Sequence, residues 1–145
     1  MNSIDAKVLA LDLMREDGLH IDWKFEFDNA KRRFGCCHRT AKLITLSKVL
    51  TEMNNESVIR DTILHEIAHA KSPERGHGRE WKKTCIRVGT EPRRCYDKNE
   101  VKIPSPEWQG FCPNCLRTFN RYKRRIGSWC AKCGREKGII KWVRV

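Results

Sequence analysis

The chain has 145 residues, a hydrophobic fraction of 39% and a formal net charge of +12 at pH 7. This length allows one main hydrophobic core with a small appendage and excludes two full-sized domains. No apolar run approaches the roughly 20 residues of a transmembrane helix, and the N-terminus lacks the pattern of a secretory signal, so we expect a cytoplasmic protein without a membrane partner.

The excess of positive charge predicts a polyanionic partner, and nucleic acid is the first candidate. The alternative is that the charge serves only solubility. The chain also has eight cysteines. In the reducing environment of the cytosol these favour metal binding over disulfides.

The first predicted helix begins at Ser3, which can cap it, and ends at Gly18. It carries three apolar residues along one side, Ile4, Val8 and Leu11. In the strand predicted next, within residues 20–27, apolar and polar side chains alternate with the period of a half-buried strand. The apolar positions are Ile21, Trp23, Phe25 and Phe27. Two further strands around 33–38 and 42–46 complete a small antiparallel sheet.

A short helix from about Ser47 and a longer helix capped by Asn54 or Asn55 follow the strands. Isoleucines recur every fourth residue along the longer helix and predict a face that packs on the core. They are Ile59, Ile63 and Ile67. A turn rich in proline and glycine ends this helix, and another helix is predicted from Arg79 to Val88, ending at Gly89.

The longer helix contains His65 and His69, four residues apart, so both imidazoles lie on one face and can share a metal ion. Glu66 lies beside the first histidine, where its carboxylate can reach a water molecule at the metal, as a general base requires. A catalytic zinc usually has three protein ligands. His77 is the best candidate for the third, because the preceding turn can fold the chain back, and Glu80 is the alternative. The competing interpretation is a polar helix on which this pattern arose by chance.

Near the C-terminus, two C-x-x-C pairs have the spacing of one tetrahedral zinc site, formed by Cys112, Cys115, Cys130 and Cys133. Four thiolates leave no open position, so this zinc is expected to be structural. A redox function is the alternative, but it explains one pair and not two. The remaining cysteines, Cys36, Cys37, Cys85 and Cys95, are expected to be core thiols. The alternative is that Cys36 and Cys37 hold a metal together with His38.

Basic and aromatic residues are interleaved between and after these pairs. Cations pair with phosphates and rings stack on bases, so this combination is typical of nucleic-acid-binding surfaces. The predicted nucleic-acid-binding residues are Arg117, Arg121, Tyr122, Lys123, Arg124, Arg125 and Trp129. None of them promises base-specific recognition. The alternative is a solvated ribbon whose aromatic side chains cover its own small core.

The strings HEIAHA and GHGREW, with the aromatic strand WKFEF and the segment ending in ITLS, resemble the SprT-like metalloproteases, whose eukaryotic members are called Spartan. The resemblance covers most of the chain, since many bacterial SprT-like proteins also end in a zinc ribbon. It implies that His65, His69 and His77 bind the catalytic zinc and that Glu66 is catalytic. With the positive charge, it also implies substrate proteins bound or crosslinked to DNA, and therefore a DNA-associated location.

Together these features predict an α+β fold. A zincin-like metalloprotease domain, with helices packed on a short antiparallel sheet, occupies residues 1–98, a connecting segment 99–110 and a β zinc ribbon 111–145. We expect a monomeric zinc metalloendopeptidase that holds two zinc ions and binds DNA without sequence specificity. The alternative function is a non-catalytic nucleic-acid-binding zinc protein that keeps its metal helix for stability.

Overall fold

The computed structural model describes all 145 residues, which form two units, Met1–Ile103 and Pro104–Val145. The first contains α1 (Ser3–Glu16), β1 (Lys24–Asp28), β2 (Gly35–His38), β3 (Leu43–Ser47), α2 (Lys48–Met53), α3 (Glu56–Lys71) and α4 (Arg79–Val88). The second contains β4 (Trp108–Phe111), β5 (Thr118–Arg121), α5 (Gly134–Lys137) and β6 (Lys141–Arg144). The α+β class is confirmed. Residues 99–103 belong to the first unit and 104–110 to the second.

The sheet of the first unit is mixed, so the prediction of a wholly antiparallel sheet is wrong. Strand β3 lies in the centre, pairing antiparallel with β2 and parallel with β1. Four consecutive residues of β3, from Ile44 to Ser47, are buried, which is the pattern of a strand covered on both faces. Side-chain alternation shows which face of a strand is buried, but it does not show the direction in which the strand pairs.

Helix α1 faces the core with a different side from the predicted one. The predicted apolar side is exposed, at 76% for Ile4, 54% for Val8 and 41% for Leu11. The buried side consists of Ala6, Ala10, Leu13 and Met14. The cap is Asn2 rather than Ser3, and its Oδ1 accepts a hydrogen bond of 2.8 Å from the Asp5 backbone. Both sides of α1 have helical apolar spacing, and the side with the small alanines faces the core. Ile21 is also exposed, because β1 begins only at Lys24.

Helix α3 follows the prediction closely. Asn55 caps it, with its Oδ1 accepting from the Val58 backbone at 3.1 Å. The three isoleucines, Ile59, Ile63 and Ile67, are fully buried in the core of the first unit. Helix α4 spans Arg79–Val88 with Gly89 as its C-cap, as predicted. Because α3 contacts α1, α4 and β2, it is the element that positions the face carrying the two histidines.

The second unit is a three-stranded antiparallel sheet in which β4 lies between β5 and β6. Its small core is formed by Cys112, Cys130 and Ile140, with Phe119 and Trp142 packed against them. Two of the buried residues in this core are therefore predicted metal ligands. In neither unit is any helix both long and apolar enough to cross a membrane.

Two leucines of α1 test which face of this helix is buried. We expect Leu13→Ala to lower the free energy of unfolding of the zinc-loaded protein by about 2–4 kcal/mol, because it leaves a cavity in the core. Leu11→Ala, the matched control on the exposed side, is expected to cost less than about 1 kcal/mol. Guanidinium denaturation followed by circular dichroism measures both. Equal losses would contradict the orientation of α1.

Candidate metal centres and active-site cleft

The structure brings together the three histidines singled out in the sequence. His65 and His69 lie one turn apart on α3, and the turn after α3 returns the chain so that His77 faces them. Nε2 of His77 lies 3.1 Å from Nε2 of His69 and 3.3 Å from Nε2 of His65. Three ring nitrogens from two parts of the chain therefore converge on one point.

The chemistry of these nitrogens suits zinc. Nitrogen ligands at the usual zinc distance of about 2.0–2.1 Å stand about 3.3–3.4 Å apart in a tetrahedron, close to the two distances found here. Burial lowers the pKa of His65 and of His69 to about 4. Burial and the charge of Arg94 also lower the pKa of His77. The rings are thus neutral at neutral pH, which is the form that binds metal.

The side chain of Trp81, on α4, packs against all three histidines. Its ring centroid lies 4.8, 5.2 and 4.6 Å from those of His65, His69 and His77. The indole is fully buried and also contacts Ala68 of α3 and Cys85 of α4. It is a rigid support behind the rings, and the sequence analysis missed it. Trp81 is the last residue of the string GHGREW that carries the family resemblance, and this was the signal that could have found it.

The turn that carries His77 is fixed by Glu74, which the sequence analysis also missed. Its Oε1 accepts hydrogen bonds from the backbones of Glu80 at 2.8 Å and Trp81 at 3.1 Å. This carboxylate caps α4, whose N-cap residue, Gly78, has no side chain. Nη1 of Arg39 donates to the Glu74 carbonyl at 2.9 Å and ties the turn to the end of β2. The turn before His77 and the start of α4 after it are thus both held in place.

Glu66 is 7% exposed, and burial raises the pKa of its carboxyl to about 8, against the opposing charge of Arg33. Gly35 at the start of β2 passes directly over it. A Cβ at position 35 would lie 3.0 Å from Cγ of Glu66 and 3.1 Å from Cγ2 of Thr62. The absence of a side chain there lets the strand cover the carboxylate closely while leaving it room.

The segment after α4 forms another wall of the site, although the sequence suggested no role for it. The backbone of Arg93 lies close to the His65 ring, where it raises the pKa of that ring against the effect of burial. The hydroxyl of Tyr96 donates to the Val58 carbonyl at 2.8 Å. The side chain of Asn54 holds both the N–H and the carbonyl of Lys102, each at 2.8 Å. The segment is thus anchored to α2 and α3.

Between these walls lies a cavity of about 720 Å³ that is lined by Glu66 and the three histidines. This size falls within the range of about 300–1,000 Å³ that is usual for ligand-binding clefts. Glu80, the alternative third ligand, is not among the converging groups and lies 3.5 Å from Nζ of Lys83.

The four cysteines of the C-x-x-C pairs also converge, with their sulfurs within 4.8 Å of one another. Sγ of Cys115 lies 3.7 Å from Sγ of Cys130. Thiolates at the usual Zn–S distance of about 2.3 Å stand about 3.8 Å apart in a tetrahedron, so the residues fit zinc. A hydrogen bond from the backbone of Cys133 lowers the pKa of the Cys130 thiol to about 7, which favours the thiolate form.

The other cysteines do not form a site. Only Cys85 is in the core, as expected; Cys36 and Cys37 are half-buried in the cleft wall and Cys95 is exposed, so the prediction of core thiols is wrong for these three. Cys36, Cys37 and His38 are not among the groups that could hold a metal. They follow one another along β2, and neighbouring side chains of a strand point to opposite faces.

The predicted nucleic-acid-binding residues lie on the second unit. Every one is exposed except Tyr122, whose hydroxyl donates to the Pro104 carbonyl at 3.0 Å. Two cations lie over rings: Arg124 is 5.3 Å from the centre of Trp108, and Arg135 is 5.7 Å from the centre of Trp129. Trp108, which was predicted to lie in the connecting segment, begins β4 of the second unit.

One helix supplies two of three convergent imidazoles and the carboxylate beside the first, which is the arrangement of zincin-like metallopeptidases. Within that class the chain belongs to the SprT-like family, because a sequence model of that family matches residues 7–103. Among solved structures, the fold is similar to the metallopeptidase zymogen jannalysin of Methanocaldococcus jannaschii. The TM-score is 0.48 and the identity 23%, over 66% of this chain and 85% of that one. No curated protein matches the sequence significantly.

The contacts of Glu74 lead to a prediction about metal affinity. Glu74→Ala removes the cap of α4, which is worth about 1 kcal/mol, so we expect the histidine site to bind zinc about fivefold more weakly. Glu80→Ala, a matched change six residues later, is expected to leave the affinity unchanged. Competition with a chelator measures the zinc affinity of both variants. The cysteine site is the same in each, so a difference between them comes from the histidine site. His77→Ala, which removes a proposed ligand, is the reference for a large loss. If Glu80→Ala lowered the zinc affinity as much as His77→Ala, Glu80 would again be a candidate ligand.

Proposed function

We propose that the protein is a zinc-dependent endopeptidase with two zinc ions per chain, one catalytic and one structural. The observation that carries the proposal is the position of Glu66, buried at the same cleft into which the Nε2 atoms of His65, His69 and His77 converge. The four cysteines would hold the second ion with no open position, as a structural site requires.

In this proposal the three histidines hold the catalytic zinc, which supplies a Lewis acid for the scissile carbonyl and lowers the pKa of water. Packing against Trp81 keeps the rings oriented. The Glu66 carboxylate takes a proton from the attacking water and passes it to the leaving amine. Glu66 ionises more readily when a divalent cation lies against the neighbouring histidines. Gly35 lies against Cγ of Glu66, whose side chain is buried.

Replacing Glu66 tests the catalytic assignment. We expect Glu66→Gln to lower kcat for a peptide substrate by about 10²–10⁴-fold, because the amide cannot take the proton. The variant should retain its zinc, since Glu66 is not a proposed ligand. Glu56→Gln, on the exposed first turn of the same helix, is the matched control and should keep full activity. Full activity in Glu66→Gln would contradict the assignment.

A second candidate function is a non-catalytic nucleic-acid-binding zinc protein, which is favoured by the concentration of exposed cations in the second unit. The two proposals differ in what a chelator does. A peptidase loses activity at chelator concentrations that leave the cysteine site loaded, whereas a binding protein has no activity to lose. Zinc content and cleavage measured together across a chelator titration separate the two.

We further propose that the second unit binds DNA and that the substrates are proteins bound or crosslinked to it. Exposed cations can pair with phosphates, and Trp129, which is 51% exposed, offers a stacking surface. No group on this surface forms a pattern for reading bases, which favours binding without sequence specificity. The protein would then act as a monomer in the cytoplasm, associated with DNA.

DNA binding by this surface predicts a measurable salt dependence. We expect the double variant Lys123→Gln and Arg125→Gln to reduce the slope of log affinity against log salt by about 1.4–1.8, since each lost phosphate contact removes about 0.7–0.9. The matched control is Arg60→Gln with Arg87→Gln, two exposed helical positions of the first unit. Fluorescence anisotropy of a labelled oligonucleotide across a salt series gives both slopes. Equal slopes would remove the second unit from the binding surface.

A further inference from the structure

Four stretches of chain bring basic side chains to the wall of the cleft around Glu66. They are the segment entering β2, the residue that follows β2, the turn before His77, and the segment that follows α4. The cations concerned include Arg32, Arg33, Arg39, Arg75, Arg94 and Lys98. Because these residues are far apart in sequence, the basic wall results from the fold rather than from a local run of charge.

Several of these cations have no internal partner. Arg33 is paired with Asp28 at 3.1 Å, and Arg39 donates to the Glu74 carbonyl. Arg93, also in the wall, is paired with Glu100 at 2.8 Å. The rest are exposed and form no ion pair with any carboxylate: Arg32, Arg75, Arg94 and Lys98. Uncompensated positive charge therefore faces the cleft.

The acidic residues of the cleft do not cancel this charge. Glu66 is buried beneath Gly35, and Glu91 lies 3.6 Å from Arg93. Glu91 shares Arg93 with Glu100, and Asp61 has only a hydrogen bond of 3.5 Å from the Thr90 hydroxyl. These two carboxylates oppose the four unpaired cations, so the balance of charge stays positive. A concave surface lined by one sign of charge focuses its field and attracts the opposite charge.

We propose that this cleft selects polypeptide segments with acidic side chains close to the scissile bond, a specificity that rests on the proposed peptidase function. Arg75, two residues before His77 in the chain, and Arg94, in the segment after α4, both line the cavity that the three histidines line. The cavity is about 720 Å³ and also includes apolar side chains, among them Phe34, Tyr96 and Ile103. An extended peptide fits such a space, whereas a nucleic-acid duplex requires a wider and more polar surface.

The test uses three fluorescent peptides of one sequence that carry Glu, Gln or Lys at the same positions on both sides of the scissile bond. Binding is measured by anisotropy to zinc-loaded Glu66→Gln protein, which separates affinity from cleavage. We expect the Glu peptide to bind at least about threefold more tightly than the Gln peptide at low salt, and the Lys peptide most weakly. The difference should shrink as salt is added. The kcat/KM values of the wild type should follow the same order.

Variants of two arginines of the cleft wall show whether these residues cause the preference for the Glu peptide. Arg75→Gln and Arg94→Gln, each combined with Glu66→Gln, should move the ratio of Glu to Gln peptide affinity toward one. Arg87→Gln is the matched control, because it is exposed on α4 and lies outside the cleft, and it should keep the wild-type ratio.

Other outcomes would overturn the proposal. Equal binding of the three peptides, or an unchanged ratio in Arg75→Gln and Arg94→Gln, removes the acidic specificity even if the wild type cleaves all three. If these variants instead lose oligonucleotide affinity while the peptide ratio stays the same, the cleft holds nucleic acid. Ordered peptide binding without any cleavage would contradict the peptidase function while leaving the charge preference in place.

Discussion

The packing of three imidazole rings around the buried Trp81 side chain is the interaction on which the rest of the site depends. It joins α3, which presents His65 and His69, to α4, which follows His77. The isoleucines of α3 fix that helix in the core. Trp81 packs against α3 and so fixes the position of the turn relative to that helix. The arrangement of the ring nitrogens is therefore set by the hydrophobic packing of two helices.

Two other parts of the chain must approach this helix pair to form a cleft. Strand β2 does so through Gly35, where an added Cβ would lie 3.0 Å from Cγ of Glu66. The segment after α4 does so through the hydrogen bond that Tyr96 donates to the Val58 carbonyl and through those between the Lys102 backbone and the Asn54 side chain. Irregular backbone in a cleft wall needs such anchors, because no regular ladder satisfies its polar groups. Both segments carry arginines, so the parts of the chain that complete the cleft also give it its positive charge.

The predictable parts of the molecule were those whose spacing is local. Helix α3 and its asparagine cap follow from the helical period and the capping residue. The convergence of His65, His69 and His77 follows from the same period and from the turn rich in proline and glycine after α3. Distant partners decided the features that were missed. Whether Ile4 or Leu13 of α1 faces the core depends on α3, and the direction of β1 depends on β3. Glu74 is recognisable as a cap only once the turn has brought it to the start of α4.

The two candidate metal centres differ in what surrounds them. The first unit has an extensive apolar core that is independent of its histidines, whereas the small core of the second unit includes two cysteines that are proposed zinc ligands. A unit whose core is made of its ligands folds with its metal. Zinc scarcity would therefore act on the two units unequally, leaving the first folded with weakened chemistry and depriving the second of its structure.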